Sequence, residues 1–263
     1  MRTIRTIALA ILALSVIPCA ARAADLSSTV FQPGEELVYK VKYGFVRLGT
    51  VTISTVRDNN AKNGEYHIVW KMESNPSVPF FSLNEYDESV VDVADLMSQR
   101  FYGRSQRSGK NVETQFHYEA GDRKAYFSRK DLINNVFLDN YTIDNVPAYL
   151  EGPSMLFYGR ANSKSREVRK VPTMIDGKIG VTTLDFTKGR AYIDIDAVDH
   201  VRTRKYEGDM SEAAGSVAVS GGFSVWVSDD DAAVPMRVQM QITVGSITLE
   251  LEKWTRANWQ PPT

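Results

Sequence analysis

The sequence predicts a mainly β protein, folded as a single strongly curved antiparallel sheet or partial barrel with one short helix. Apolar and polar residues alternate with a period of two through most of the 263-residue chain, which is typical of strands with one buried face. Short turn sequences separate these segments, and residues 151–160 depart from the alternation with a helical pattern. A β-sandwich closed by its own side chains is the alternative architecture.

The N-terminus has the layout of a secretory signal peptide. Arg2 and Arg5 precede an apolar run, and a small-residue pattern ends at Ala23. The apolar run is about half the roughly 20 residues that a membrane-spanning helix needs. We therefore expect residues 1–23 to be cleaved, and residues 24–263 to form a single β-rich domain that is exported to the periplasm without a transmembrane segment.

The chain has one cysteine, Cys19, within this leader. A lipid anchor on Cys19 is an alternative, but Pro18 stands where lipoprotein processing needs a small flexible residue, so we expect cleavage before Ala24. The mature domain then has no cysteine, which excludes disulfides, thiol nucleophiles and cysteine zinc sites. Removing the three leader arginines changes the net charge from −1 to −4, with 28 basic against 32 acidic residues, which argues against nucleic acid as a partner.

The first half of the domain has the pattern of strands joined by tight turns. Residues 37–45 and 66–72 carry apolar side chains at alternate positions. Residues 100–131 follow as three successive strands, separated by Ser-Gly and Gly-Asp turns. Residues 131–150 are predicted to form a loop, and the sequence shows no stronger candidate for a domain boundary.

Residues 151–160, with the sequence EGPSMLFYGR, predict the helix. Gly-Pro suits a helix start, and Met155 to Tyr158 form nearly a full turn that is apolar on all sides. Because so short a helix is marginal in water, it must be buried or cover the sheet. The basic run from Arg160 to Lys170 would meet anionic lipid headgroups beside this helix or lie in a solvated loop, and the loop is the favoured interpretation.

The last third of the chain continues the alternation. Residues 191–197 and 234–244 each present an apolar face. Val244-Gly245-Ser246 predicts a tight hairpin into a final strand. The whole pattern predicts a meander of antiparallel strands.

Two groups of carboxylates are candidates for chemistry. The triplet Asp229 to Asp231 would bind a metal, form a catalytic cluster or bend the chain between two strands. The second group combines oxygen and imidazole ligands, although side chains on the wet face of a strand are the favoured interpretation: Asp194, Asp196, Asp199 and His200. No nucleophile elbow, phosphate-binding loop or zinc-protease motif occurs in a supporting context. We therefore predict no catalytic residue, no metal site, no cofactor and no enzymatic activity.

Several segments carry a family resemblance that spans nearly the whole mature chain. They are residues 31–53, residues 81–101, the helix sequence PSMLFYGR and residues 225–251. The most specific part is a Trp-Ser-Asp turn followed by a proline that opens the next strand, formed by Trp226, Ser228, Asp229 or Asp230, and Pro235. Because these segments occur in the same order along the chain, the sequence resembles the exported bacterial family named domain of unknown function 3108.

The resemblance has three implications for structure. The aspartates should cap a turn between two hairpin strands, and Pro235 should stand where the sheet needs no backbone donor. Gly49 matches a family glycine between the first two strands, whereas Gly159 departs from the usual larger apolar residue before Arg160. The fold should be similar to that of periplasmic lipoprotein carriers of the LolA/LolB type, in which a curved sheet holds acyl chains under a helical lid.

Two functions from different classes fit the sequence. The first is a periplasmic or cell-envelope binding or carrier protein for an apolar, lipid-like molecule such as a lipid or acyl chain. The alternative is a non-enzymatic envelope structural or protein-interaction module with a filled core and an envelope protein as its partner. Only the carrier needs an internal cavity of several hundred Å³. The residues predicted to border it are large aromatic and flexible apolar side chains: Tyr39, Tyr43, Trp70, Met155, Leu156, Phe157, Met236 and Met240.

Overall fold

The computed structural model of the protein describes residues 29–56, 64–78, 82–107, 109–210 and 222–263. The predicted signal peptide and Cys19 lie outside these residues. The helix is α1 (Gly152–Asn162). The strands are β1 (Glu36–Tyr43), β2 (Val46–Val56), β3 (Glu65–Ser74), β4 (Leu83–Asp92), β5 (Ser98–Arg107), β6 (Lys110–Glu119), β7 (Lys124–Asp131), β8 (Val136–Ile143), β9 (Val168–Ile175), β10 (Lys178–Asp185), β11 (Arg190–Ile195), β12 (Val198–Asp209), β13 (Gly222–Ser228), β14 (Pro235–Gln241) and β15 (Ser246–Thr255).

All these strands belong to one antiparallel sheet, so the predicted curved sheet is confirmed and the alternative sandwich is wrong. Its neighbours run β8-β7-β6-β5-β4-β3-β2-β1-β15-β14-β13-β12-β10-β9, and β11 pairs with β12. The sheet is not closed into a barrel, but its ends approach each other, because the Tyr141 hydroxyl of β8 donates to the Gly177 carbonyl of the β9–β10 turn at 2.9 Å. The two faces of the sheet are therefore a concave interior and a convex exterior.

The chain between β8 and α1 crosses the open side of the sheet. The Ser98 backbone N–H of β5 donates to the Tyr149 carbonyl at 2.9 Å, and Leu150 forms a parallel bridge with Thr173 of β9. Fully buried Tyr149 packs its ring against Tyr118 of β6. The predicted loop 131–150 is thus wrong in part, because it contains strand β8 and this bridging segment.

One expected strand end also differs from the structure. Strand β1 ends at Tyr43, and Phe45, which the alternation placed in the same strand, is 99% exposed in the turn before β2. Gly44 has a φ of 57° in that turn, a conformation that glycine adopts without steric strain. The predicted hairpin at Gly245 is confirmed, with a φ of 81° between β14 and β15.

Helix α1 packs against β3 and β4 on the concave face. An aromatic stack connects it to the sheet, because Phe31 lies between the rings of Phe157 and Tyr66, with ring centroids 4.6 Å apart on each side. At the start of the helix, the Glu151 backbone N–H donates to the Ser154 hydroxyl at 2.8 Å. The expectation that an all-round apolar helix must be buried against the sheet is confirmed.

Arg160, near the C-terminal end of α1, is buried in the core and not solvated as the basic run suggested. Its guanidinium donates to both carboxylate oxygens of Glu35, at 2.7 and 3.0 Å, and to the Ala232 carbonyl at 3.1 Å. Arg256 pairs with the same carboxylate from the end of β15. This buried ionic cluster therefore fixes α1 to both ends of the domain sequence.

Gly159, the departure from the family pattern, has a packing role. A Cβ atom at this position would lie 2.2 Å from the Tyr206 hydroxyl oxygen. The glycine therefore lets the Tyr206 side chain of β12 approach the helix backbone, which a larger residue would prevent.

Candidate functional site

Two adjoining cavities lie on the concave face beside the N-terminal turn of α1. The first, with a volume of about 450 Å³, is bordered by residues of β4 to β7 and of the β9–β10 hairpin; we call it the acidic cavity. The second, of about 400 Å³, is bordered by β3 and by β13 to β15; we call it the apolar cavity. Both are bordered by Glu85, Asp87, Gly152, Pro153, Met155 and Met210.

The apolar cavity follows from period-two alternation on neighbouring strands. Val225, Val238 and Leu249 are paired in register across β13, β14 and β15, so their side chains share the concave face. Trp70 and Met72 lie on the same face of β3. Among the described residues that border this cavity, all except Glu85, Asp87 and Gly152 are apolar or aromatic. Such a lining suits an apolar ligand.

The acidic cavity receives two carboxylates from one strand. Glu85 and Asp87 alternate along β4, opposite Met72 and Trp70 of β3, and therefore point to the interior with them. On the other side Asp87 pairs with Gly103 of β5, where an added Cβ would lie 2.7 Å from an Asp87 carboxylate oxygen. Gly103 thus leaves the space that the Asp87 side chain occupies.

Glu151 contributes a third carboxylate at the start of α1. Its side chain is 2% exposed, and its Oε1 accepts a hydrogen bond from the Ser89 hydroxyl of β4. Ser98 and the Ser154 backbone N–H also donate hydrogen bonds to this carboxylate. Glu151 borders the acidic cavity as well.

The pKa values of these carboxyl groups are raised above their ordinary range. Burial, with the charges of Glu85 and Glu151 adding to it, raises the pKa of Asp87 to about 8. Burial raises the pKa of Glu151 to about 7, against the opposing hydrogen bonds from Ser89 and Ser154. Burial also raises the pKa of Glu85, while Arg107 opposes the shift. The surroundings of these carboxyl groups therefore favour the neutral, protonated form over the ionised form.

The structure brings together four of the eight predicted ligand-binding residues. Trp70, Met155, Leu156 and Met240 border the apolar cavity. Tyr39, Phe157 and Met236 are buried in the core, where the Tyr39 hydroxyl donates to the Pro235 carbonyl at 3.0 Å, and Tyr43 is 40% exposed near the end of β1. These last four residues border neither cavity. Contact of the first four with a ligand stays a prediction.

The three carboxylates of the acidic cavity are residues that sequence reasoning missed. In the sequence NEYDES, Glu85 and Asp87 occupy alternate positions of a strand, which is also the pattern of a solvated face. Glu151 precedes the helix in the manner of an ordinary capping residue. The strand register identifies Glu85 and Asp87 as interior residues, because they alternate in phase with the interior residues of the neighbouring strand.

The aspartate triplet forms the bend predicted between β13 and β14. Asp230 accepts hydrogen bonds from the Ser228 hydroxyl at 2.8 Å and from the Ala233 backbone N–H at 3.0 Å. Asp229 pairs with Arg190 at 2.7 Å and with Arg204. The predicted bend is confirmed, and Asp230 caps it as expected, whereas Asp229 and Asp231 form ion pairs with basic side chains instead.

The second acidic group belongs to the β11–β12 hairpin. Asp194 accepts a hydrogen bond from the backbone N–H of His200 at 2.8 Å, and the His200 side chain is 83% exposed. Among the residues that the structure describes, no group of three or more His, Cys, Asp or Glu side chains is arranged to hold a metal ion.

Comparison with known proteins identifies the family. A family model described as "Protein of unknown function (DUF3108)" matches residues 38–252. The chain belongs to this family. The match covers α1 and all of the sheet except the first residues of β1 and the last of β15, and the membership predicted from the Trp-Ser-Asp turn and the helix sequence is confirmed. The search of curated proteins gave no match.

Solved structures show a similar fold. A β-barrel-like protein of domain of unknown function DUF1849 from Brucella abortus aligns with 87% of this DUF3108 protein and 100% of its own chain, at 10% sequence identity and a TM-score of 0.57. The lipoprotein LppX of Mycobacterium tuberculosis aligns over 89% of this chain and 91% of its own, at 14% identity and a TM-score of 0.25. The first similarity shows the fold alone, and the second is too low to support an argument.

The raised pKa values predict how the stability of this DUF3108 protein depends on pH. Asp87 and Glu151 titrate near pH 8 and 7 in the folded protein but near pH 4 in the unfolded chain. Between these values the folded protein binds more protons, so stability falls as pH rises, by up to about 1.4 kcal/mol per pH unit for each proton. Asp87→Asn should flatten this fall in urea unfolding measured from about pH 5 to 8. A variant profile parallel to that of the wild type would contradict the buried-carboxyl assignment.

Proposed function

We propose that this protein is a periplasmic or cell-envelope binding or carrier protein for an apolar, lipid-like molecule. The observation that supports this function most is the apolar cavity of about 400 Å³ on the concave face. Ligand pockets typically have volumes of about 300–1,000 Å³ and predominantly apolar walls. An envelope structural module with a filled core would not need such a space, so the cavity favours the carrier over that alternative.

The side chains around the apolar cavity suit a flexible chain. Met72, Met155 and Met240 border it together with Trp70. Methionine side chains are unbranched and polarizable, so they adapt to ligands of different shape. Leu156 and Met155 from α1 cover one side of the space, as expected for a short helix above a ligand. This arrangement agrees with the predicted analogy to LolA/LolB-type carriers.

The proposed role is binding and not catalysis. Among the described residues that border the two cavities, the three carboxylates are accompanied by hydroxyl groups but by no histidine. Export rests on the leader sequence, with Arg2 and Arg5 before its apolar run. In the described residues, no helix has the length and apolar character needed to cross a membrane.

A cavity-filling variant tests the proposal. Val238→Phe adds a ring on the concave face of β14, whereas Gln241→Phe adds the same ring at an exposed position on its outer face. We expect Val238→Phe to weaken binding of a neutral dodecyl-chain fluorophore about tenfold or more, because it occupies the space that the chain needs. Gln241→Phe should bind as the wild type does, with urea unfolding as a check on folding. No saturable binding by the wild type, or equal binding by both variants, would contradict the proposal.

A further inference from the structure

We infer that one edge of the sheet docks on the surface of a lipid bilayer that contains anionic lipids. This edge carries the β1–β2, β5–β6, β7–β8 and β14–β15 turns, and we call it the apolar edge. The inference goes beyond the proposed function, because it concerns the outer surface of the protein and needs no ligand in either cavity.

The strand order places these four turns at the same edge. Every second turn of an antiparallel meander lies at one edge of the sheet, which groups the β1–β2, β5–β6 and β7–β8 turns. Strand β15 begins beside the end of β1, where Ile247 pairs with Tyr43, so the β14–β15 turn lies there too. The Tyr43 hydroxyl also donates to the Val244 carbonyl at 3.1 Å. The four turns can therefore approach one surface together.

Large apolar side chains are exposed along the apolar edge. Phe45 in the β1–β2 turn is 99% exposed, and Val244 in the β14–β15 turn is 71% exposed. The β7–β8 hairpin adds four apolar side chains that are each more than half exposed: Ile133, Val136, Phe137 and Leu138. Groups of exposed apolar side chains mark surfaces that contact other proteins or membranes.

Basic side chains beside the apolar ones favour a bilayer. Arg107 and Lys110 flank the β5–β6 turn and are exposed, and the Lys130 ammonium lies 5.5 Å from the centre of the Phe137 ring. The neighbouring Asp131 carboxylate accepts two backbone hydrogen bonds within the β7–β8 turn. Apolar groups with cations beside them match the bilayer surface, because the apolar groups enter the interface while the cations meet anionic headgroups.

The opposite edge of the sheet has a different character. Its β4–β5, β6–β7, β11–β12 and β13–β14 turns carry six aspartates: Asp95, Asp122, Asp196, Asp229, Asp230 and Asp231. In these four turns, which the structure describes in full, no large apolar side chain is exposed. The opposite edge therefore offers an anionic bilayer no apolar group to bury, and the difference between the edges orients the protein.

The apolar cavity lies next to the apolar edge. Four of the residues that border it stand within two positions of a strand end at that edge: Met72, Glu85, Phe223 and Met240. Docking through this edge brings the space for an apolar chain close to the bilayer that would supply or receive the chain. This position favours a bilayer over a protein partner as the occupant of the edge.

Sedimentation with lipid vesicles tests the inference. The full mature protein is mixed with vesicles of phosphatidylcholine alone, or of phosphatidylcholine and phosphatidylglycerol in equal parts, at low and at high salt. We expect binding to the anionic vesicles to be about tenfold stronger than binding to the neutral ones or more. Added salt should weaken this preference, because it screens the attraction between the cations and the headgroups.

Replacing two aromatic side chains tests the apolar contact. Phe45→Ser combined with Phe137→Ser should weaken binding to the anionic vesicles about tenfold or more, because burial of both rings in the bilayer is lost. Tyr192→Ser removes an aromatic side chain that is 68% exposed on β11, away from this edge. This control should bind as the wild type does, and urea unfolding checks that each variant is folded.

Replacing two basic side chains tests the charges. Arg107→Gln combined with Lys110→Gln should weaken binding to the anionic vesicles about tenfold and leave binding to the neutral vesicles unchanged. Lys253→Gln removes a charge from an exposed position near the end of β15, at the opposite edge, and should have no effect.

Two results would overturn the inference. One is that the wild type does not bind the anionic vesicles, or that it binds them no better than the variant with both aromatic replacements. The other is a dimer that forms without vesicles and dissociates in that variant while no vesicle binding occurs, which would assign the edge to a second copy of the chain. Binding of the dodecyl fluorophore tests the proposed function separately, because Phe45 and Phe137 border neither cavity. Vesicle binding without fluorophore binding would contradict the proposed function alone, and fluorophore binding without vesicle binding would contradict the docking alone.

Discussion

Glu35→Gln should lower the free energy of unfolding by about 3–5 kcal/mol, because removing one partner of a buried ion pair leaves uncompensated charge in the core. The Glu35 carboxylate is 1% exposed and pairs with Arg160 and Arg256 together. Both guanidiniums are also nearly inaccessible, with exposed side-chain fractions of 0% and 7%. Without Glu35, two buried positive charges would face each other with no anion between them.

Arg160→Met provides the matched comparison. This variant leaves the ion pair of Glu35 and Arg256 intact, so it removes one charge without leaving another charge unpaired. We therefore expect it to destabilise the protein less than Glu35→Gln does. Urea unfolding of both variants measures the difference. A larger loss in Arg160→Met than in Glu35→Gln would show that Arg256 does not share the carboxylate in solution.

Phe157→Ala should cost about 3–5 kcal/mol of stability, as expected for a large buried aromatic side chain that leaves a cavity. The Phe157 ring is 1% exposed, stacks on Phe31 at 4.6 Å and lies 4.6 Å from the Arg160 guanidinium carbon. Because Phe157 borders neither cavity, binding of the dodecyl fluorophore should change little once the protein is folded.

Met155→Ala separates packing from ligand contact in the same helix. Met155 is partly buried and borders both cavities. Its truncation should therefore alter fluorophore binding more than Phe157→Ala does, with a smaller loss of stability in urea. If Phe157→Ala instead changed binding more at a small loss of stability, the helix would have to be oriented with Phe157 toward the ligand.

The sheet was predictable because its signal is local. A strand with one buried face repeats every two residues, and the turns between strands carry their own residue preferences. Strand β14 and the hairpin at Gly245 illustrate this, since both follow from the residues themselves. Strand β8 was missed because several of its apolar residues, such as Phe137 and Leu138, are exposed and do not alternate with polar ones.

The acidic cavity was not predictable because its signal is not local. Glu85 and Asp87 have the same alternation on an interior face as on a solvated one, and only the register with Met72 and Trp70 distinguishes the two. Arg160 lies in a basic run, and its partner Glu35 is 125 positions away in the sequence. Whether a charged side chain is buried depends on such distant partners, and the periodicity of the sequence cannot predict them.

The most direct measurement of the central claim uses Trp70 as a reporter of the apolar cavity. Of the four tryptophans, Trp70 borders this cavity, while Trp226, Trp254 and Trp259 border neither of the two. A brominated dodecanol quenches tryptophan emission only on contact, so titration should quench the wild type saturably and leave the emission of Trp70→Phe unchanged. Saturable quenching of the same size in Trp70→Phe, or no saturable quenching of the wild type, would contradict binding of an apolar chain in this cavity.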